Sequence, residues 1–402
     1  MLGLPYACAQ AGMAGGVFAL LSFSFITWKT SIMIGRELNG DPRPASYFVD
    51  TPWKTPLQPG SVPEARMRKP ISSFPDIARS AFGEAGCILL SVILYFELFS
   101  CICIFIVTIG DHMHTLFPSI PVTTHMLGVG VVSVIPILLL RTARLLSYLS
   151  AIGTVATICV VGAVVLAFVF EGNITEDVAE RMADPPPPPY HTVWRTSGLP
   201  MAFGMVAYCF SGHAIVPSIY SSMEKPQDFE RVVNITYSIV LVACLAVGLS
   251  GYLMFGDLVF DQVTISLEQN SSAELAMTIL TYLMILTAFS KITLTMFPLA
   301  IGMEEIFAPF LSSERGISLL SAVIKIVLIV LALWVAIYVP SFSFLCSLVG
   351  MICTMTVSVV FPAGAYLNLF GHTLSLCEKL MYWAFVVIGL LMAVIGTALS
   401  VG

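Results

Sequence analysis

The feature that most constrains this chain is a succession of apolar stretches, each long enough to cross the hydrocarbon core of a bilayer. A membrane-spanning helix needs about 20 mainly apolar residues. Such stretches recur at 11–35, 84–109, 125–140, 145–170, 198–221, 231–254, 274–302, 317–338, 340–370 and 380–401. Residues 1–9, MLGLPYACA, supply half of another, ended by Pro5 and the Gly12 region. The bilayer core holds no water to satisfy loose backbone groups, so segments of this length must be helices. Only 10% of the 402 residues are charged and 57% are hydrophobic, whereas a soluble domain carries about 25% charged residues. The expectation is an all-α polytopic membrane protein forming a single transmembrane domain over 1–402. No basic run points to nucleic acid, and nothing calls for a cofactor.

Lys and Arg set orientation, and here they segregate by alternate connections. One set holds Arg36, Arg43, Lys54, Arg66, Arg68, Lys69 and Arg79, then Arg141 and Arg144, Lys225 and Arg231, Arg315, and Lys379. The other holds only Arg181 and Arg195, beside Glu171, Glu176, Asp177, Glu180 and Asp184. The first set is assigned to the cytosol, which puts 110–124, 171–197, 255–273 and the C-terminus on the other side. Two glycosylation sequons, at Asn173 and Asn270, fall in those outer loops. A third match, at Asn234, falls on the cytosolic side and is attributed to chance. Residues 36–80, rich in proline and basic residues, read as a flexible cytosolic segment, with an interfacial helix over Phe74–Phe82. Pro185–Pro189 reads as a short rigid spacer in the outer loop.

Eight of the ten cysteines lie inside apolar spans, and Cys8 and Cys377 lie at span edges. No CxxC pair exists, so neither a disulfide framework nor a zinc site is expected. His112, His114 and His125 cluster near one outer loop but lack further ligands, and no metal is assigned.

Polar groups at membrane depth are costly and mark pathways, relays or pairs. Glu97 lies mid-span in LLSVILYFELFSCICIF, and Lys291 in LMILTAFSKITLTMFPLA. The two are expected to face one interior cavity, with an ion pair between them as the alternative. His213, with an ordinary pKa of about 6.5, suits a proton-coupled step. It follows Phe210-Ser211-Gly212 in a stretch where helix-weakening residues interrupt an apolar span, and Pro217 follows. Secondary transporters hold substrate at such midplane interruptions. Gly3 and Pro5 would break the first span in the same way, five spans earlier. That is the spacing of two inverted five-helix repeats, each led by a broken helix. The repeats would cover 1–170 and 198–370, with 380–401 as an extra helix. The half-helix N-termini would offer N–H groups to a carboxylate, and Tyr95 would supply a hydroxyl.

These residues carry a resemblance. LGLPYACAQAG, SSFPDIARSAFGEAG leading into ILYFELFS, FGMVAYCFSGHAIVPSIYSSMEKPQDFERV, FSKITLTMFPLA, and PSFSFLCSLVG with FPAGAYLNL resemble, in order, the amino acid/auxin permease family. Within it they are most similar to the vacuolar amino acid transporters of fungi and plants. The resemblance implies a leucine-transporter-like fold of five plus five helices and one more. It also implies proton-coupled amino acid transport, antiport included, in a vacuolar or other acidic endomembrane. The family's broken helices map to Gly3, Leu4 and Pro5, and to Phe210, Ser211, Gly212 and His213. Tyr95, Phe210 and Ser290 would wall the substrate; Glu97 or His213 would carry the proton, and Lys291 would stand in for a bound cation. Family members carry a full first helix, so an upstream half of that helix is expected. Amino acid, protons and membrane lipid are the expected partners. The alternative is an amino acid sensor signalling through the 36–80 loop. An intramembrane enzyme is disfavoured: no intramembrane aspartate is evident, and Ser211 and His213, two apart on a helix, point to different faces.

Overall fold

The first helix stops after two turns because Gly12 takes φ 78°, a conformation that costs glycine nothing. A Cβ there would stand 2.6 Å from the Trp194 nitrogen, so the break is also a point of close approach. In the computed structural model, which describes residues 1–39, 73–139, 143–182, 190–270, 274–307 and 314–401, this break separates α1 (Leu4–Ala11) from α2 (Met13–Leu38). The expected half-span 1–9 is thus α1, and the expected span from residue 11 begins at 13. Ser73 caps the next helix, its hydroxyl accepting from the Asp76 N–H at 3.2 Å. That helix, α3 (Phe74–Leu116), bends at Gly83, φ 74°, so the expected helical segment Phe74–Phe82 leads into the span through a kink.

The remaining elements are α4 (Val122–Leu139), α5 (Ala143–Glu171), the short α6 (Thr175–Arg181), α7 (Leu199–Cys209), α8 (Val216–Ser222), α9 (Phe229–Phe255), α10 (Val263–Asn270), α11 (Glu274–Phe307) and α12 (Glu314–Tyr338). The stretch after α13 (Phe342–Val349) is π-helical at Gly350–Thr354 and Thr356–Val360 before α14 (Phe361–Phe370). A last helix, α15 (Leu376–Leu391), continues through a third π segment into α16 (Thr397–Val401). Among the described residues there is no strand. Among the described residues nine helical stretches are long and apolar enough to cross a membrane, and Val122–Leu138 is a shorter apolar helix. Every expected span therefore has a helix. The bulk of the expected 36–80 segment, the proline run, and part of the Asn270 sequon lie outside the described residues.

Polarity is inverted relative to a soluble protein. Phe170 is 82% exposed and Leu275 76%, while Thr27, Thr30, Glu97, His213 and Thr354 are buried. A broad apolar exterior over a partly polar interior is what a bilayer selects.

The connections gather at two ends. At one, Arg195 pairs with Asp257 at 2.7 Å and donates to the Ala9 carbonyl at 2.8 Å; the Tyr252 hydroxyl donates to Asp257 at 3.0 Å. At the other, Arg36 pairs with Glu230 at 2.9 Å. These are the ends expected to face outward and cytosolic. Between them α7 packs on both α1 and α13. The seam with α13 closes to backbone contact: a Cβ on Gly204 would sit 2.5 Å from the Ser347 carbonyl oxygen, and one on Gly350 would collide with the Gly204 carbonyl.

Candidate functional site

The structure brings the start of α1 beside the end of α7. Helix α7 closes at Cys209, and Phe210, Ser211 and Gly212 leave the helical path; the Gly212 N–H donates to the Phe210 carbonyl at 2.9 Å. A single 3-10 turn, His213–Ile215, then leads into α8. Opposite this gap the Met1 nitrogen donates to Cys209 Sγ at 3.3 Å. Gly3 leaves no room for a side chain, because a Cβ would meet the Met205 methyl and stand 3.2 Å from Phe342. Leu4 and Pro5 are buried in the first turn of α1. Lys291 of α11 reaches the same place, its ammonium 5.9 Å from the Phe105 ring centroid and near the Cys209 and Cys101 thiols. The Tyr208 hydroxyl lies beside Cys101.

This arrangement juxtaposes N–H groups at a helix start, carbonyl groups at a helix end, and one ammonium. Such a set suits a zwitterion: helix N-termini attract carboxylates, while carbonyl oxygens left outside the helical ladder accept from an ammonium.

Phe210 is buried and stacks on Tyr237 of α9, 6.3 Å between centroids and 9° between planes. The Tyr237 hydroxyl is 2.9 Å from the Ser31 hydroxyl. His213 Nε2 meets the same α2 face, at 2.9 Å from Thr30 Oγ1 and 3.2 Å from the Thr27 carbonyl. A carbonyl only accepts, so Nε2 carries the proton in this contact. Nδ1 is then the bare acceptor of the neutral ring, and among the described residues it has no hydrogen-bond partner. The sequence signal for this surface was available: Thr27, Thr30 and Ser31 follow helical spacing and form a small polar stripe on an apolar span.

Glu97 does not pair with Lys291; among the described ion pairs none joins them. Instead Glu97 accepts a 2.8 Å hydrogen bond from Thr354, in the first π-helical segment. Rare π-turns collect at functional positions, but no periodicity argument reveals them. Tyr95 and Ser290 also lie apart from the gap. The Tyr95 ring fills the space over Gly302 of α11, and Ser290 bonds the Leu286 carbonyl at 2.7 Å while its Cβ faces Gly153 of α5. The His114 and His125 rings are 6.3 Å apart, whereas His112 turns to Thr264. Among the described residues no three His, Cys, Asp or Glu side chains converge as metal ligands, and all ten thiols are free. Asn173 is exposed, its Oδ1 accepting from the Thr175 N–H at 2.9 Å.

Residues 1–51 and 59–401 match the transmembrane amino acid transporter protein family. The chain belongs to that family. Membership sets it among transporters rather than enzymes. Relatives from Arabidopsis thaliana include amino acid transporter AVT1B, 28% identical across 99% of this chain and 67% of the relative, and AVT1C, 26% identical across 99% and 66%. Amino acid transporter AVT1I is 26% identical across 100% of this chain and 90% of its own length. The chain thus spans about two thirds of the length of the first two relatives.

Proposed function

We propose that this family member is a secondary active transporter that carries amino acids across a vacuolar or other acidic endomembrane, coupled to protons, by alternating access. The observation that carries the reading is the gap where the start of α1 meets the interruption between α7 and α8. Substrate carboxylate rests on the Gly3 N–H and displaces the local bonds that the N–H groups of Leu4 and the Phe210–Gly212 turn make to the Met1, Ala207, Tyr208 and Phe210 carbonyls, with Pro5 fixing the first turn. The ammonium meets carbonyls at the α7 end and Ser211. Phe210, braced by Tyr237, forms one wall. Lys291 supplies the fixed positive charge that a bound cation would otherwise supply.

His213 and Glu97 are the proton carriers in this reading. Each is anchored to a neighbouring segment, His213 to Thr27, Thr30 and Ser31 of α2 and Glu97 to Thr354, so a change of protonation is felt by α2 and by the π-helical segment. Tyr95 and Ser290 enter as packing positions on the seams of α11 with α3 and α5, which stay together while the interrupted helices rock. That motion follows from two inverted repeats, 1–170 and 198–370, with 380–401 appended. Asn173 and Asn270 carry glycans on the acidic side.

Cys209 tests the site directly. In proteoliposomes, N-ethylmaleimide alkylation mapped by mass spectrometry should slow several-fold at Cys209 when a transported amino acid is present, with exposed Cys377 unchanged. Equal labelling of Cys209 with every amino acid in a full panel would contradict the placement.

A further inference from the structure

At the outer end, elements from distant parts of the chain converge on two carboxyl groups. Asp111, on the last turns of α3, accepts from Gln262 Nε2 at 2.7 Å. The neighbouring Asp261 accepts from the Ser343 N–H at the start of α13, at 3.2 Å. The next residue, Val263, donates to the Leu2 carbonyl at 3.1 Å, tying the cluster to the chain entering α1. Tyr6 of α1 lies against Asp261, with its hydroxyl toward Ser343. Gln262 is 0% exposed, and among the described residues its Oε1 has no hydrogen-bond partner.

A buried amide oxygen needs a donor. Two carboxylates cannot donate; a carboxylic acid can. The other titratable and charged groups facing the cluster are already engaged. Both ring nitrogens of His112 are engaged, Nδ1 donating to the Thr108 carbonyl at 2.8 Å and Nε2 bonded to the Thr264 hydroxyl at 2.8 Å. Glu268 accepts from Thr115 at 2.7 Å and Thr281 at 2.6 Å. Arg195 is taken by Asp257, and Arg181 points to the Asn270 carbonyl. Among the described residues, no ammonium or guanidinium pairs with Asp111 or Asp261. Burial holds the Asp261 carboxyl above the ordinary carboxylate range.

We propose that Asp111, Asp261 and Gln262 form a proton-binding site that takes up a proton when the outer end closes and releases it when that end opens. A protonated carboxyl donates to Gln262 Oε1, and a half-turn of the amide exchanges its oxygen and nitrogen to suit. The sign follows from linkage. A carboxyl that binds its proton more tightly in the closed state favours closure as pH falls. That gain is fully present below the ordinary value of about 4, and it is lost as pH rises through the raised closed-state value. The proposal rests on the transporter reading, and it specifies an acidic outer compartment as the proton source.

The test needs no amino acid. The full chain, with exposed Cys159 and Cys377 and half-buried Cys101 and Cys209 replaced by Ser, is spin-labelled at Ile120→Cys and Val193→Cys and held in nanodiscs. Electron–electron distances across the outer end are then measured at pH 5 and pH 7.5. One-proton linkage changes the closed-to-open ratio by up to about tenfold per pH unit, so the shorter distance should gain several-fold at pH 5. Asp261→Asn, which mimics the protonated acid, should keep the short distance at both pH values, and Gln262→Leu should remove the pH response. A pH-independent distribution in the parent, or a full parental response in Asp111→Asn and Gln262→Leu, overturns the proposal, including where Asp261→Asn does not fold. A pH response without uptake of any amino acid would sink the transporter reading alone; uptake without the response would sink only this site.

Discussion

The two ends of the helical bundle are held by different physics. At the outer end Asp257, with 17% of its side chain exposed, gathers Arg195, Thr192 and Tyr252, and Glu268 and Gln262 tie α10 and its approach to α3 and α11. At the inner end the Arg36–Glu230 pair is about half exposed on both sides, 49% and 50%, and so is Arg79–Glu84, at 50% and 54%. A groove of about 690 Å³ opens there between α3, α14 and α15. Glu37 is 0% exposed, and among the described residues neither of its carboxylate oxygens has a hydrogen-bond partner. Hydrogen bonds to charged groups contribute about 1.5–3 kcal/mol each where water is excluded, and exposed ion pairs about 0–1 kcal/mol; the Arg195–Asp257 pair, at 40% and 17% exposed, lies between the two. One end is therefore held more firmly than the other, and under the proposed alternating access the weakly held end is the one that opens more readily.

The largest effect should come from the seam that both ends share. Gly350→Leu forces a side chain into the Gly204 backbone, and overpacking of this kind costs about 3 kcal/mol or more; monodisperse protein on size exclusion should nearly vanish. Next, Asp257→Ala removes the acceptor that Arg195, Tyr252 and Thr192 share and should cost about 2 kcal/mol, seen as a clear drop in the thermal unfolding midpoint. Glu37→Met should move the midpoint the other way by about 1–2 kcal/mol, because it removes a buried carboxyl that nothing satisfies. If Glu37→Met destabilised as much as Asp257→Ala, the contrast between the ends would collapse. Arg36→Ala should cost under about 1 kcal/mol, and 1 M salt should erase even that while leaving the Asp257 effect largely intact. Smallest of all, Asn173→Gln should leave the midpoint unchanged while a glycan-sensitive gel band moves faster.

The spans were legible because bilayer thickness imposes one length scale on the whole chain. Gly12 and the 210–213 interruption were legible because glycine and small polar residues are exceptional inside an apolar run. What joined them was not. The bond from Gln262 to Asp111 crosses 151 positions and the one from Thr354 to Glu97 crosses 257, and no local pattern encodes such pairings. Glu97 and Lys291 were each conspicuous as ionisable groups at depth, but depth alone does not say which helix face a side chain takes. Tyr95 illustrates the same limit: it lies two residues from Glu97 in sequence, yet turns to Gly302 rather than to α13's continuation. The outer carboxylates escaped notice because Asp and Glu at span edges are ordinary; only burial and convergence single them out.

The central claim is that an amino acid passes through the gap between α1 and the α7–α8 interruption. It is tested most directly in proteoliposomes holding the full chain, with a panel of labelled amino acids and an imposed pH gradient, comparing the parent with Gly212→Leu. No neighbouring atom lies within 4 Å of where a Gly212 Cβ would stand, so that variant should fold. The account predicts gradient-dependent movement of at least one amino acid by the parent and a loss of tenfold or more in Gly212→Leu at unchanged thermal stability. Parental rates in a well-folded Gly212→Leu, or no movement of any amino acid by the parent, would contradict it.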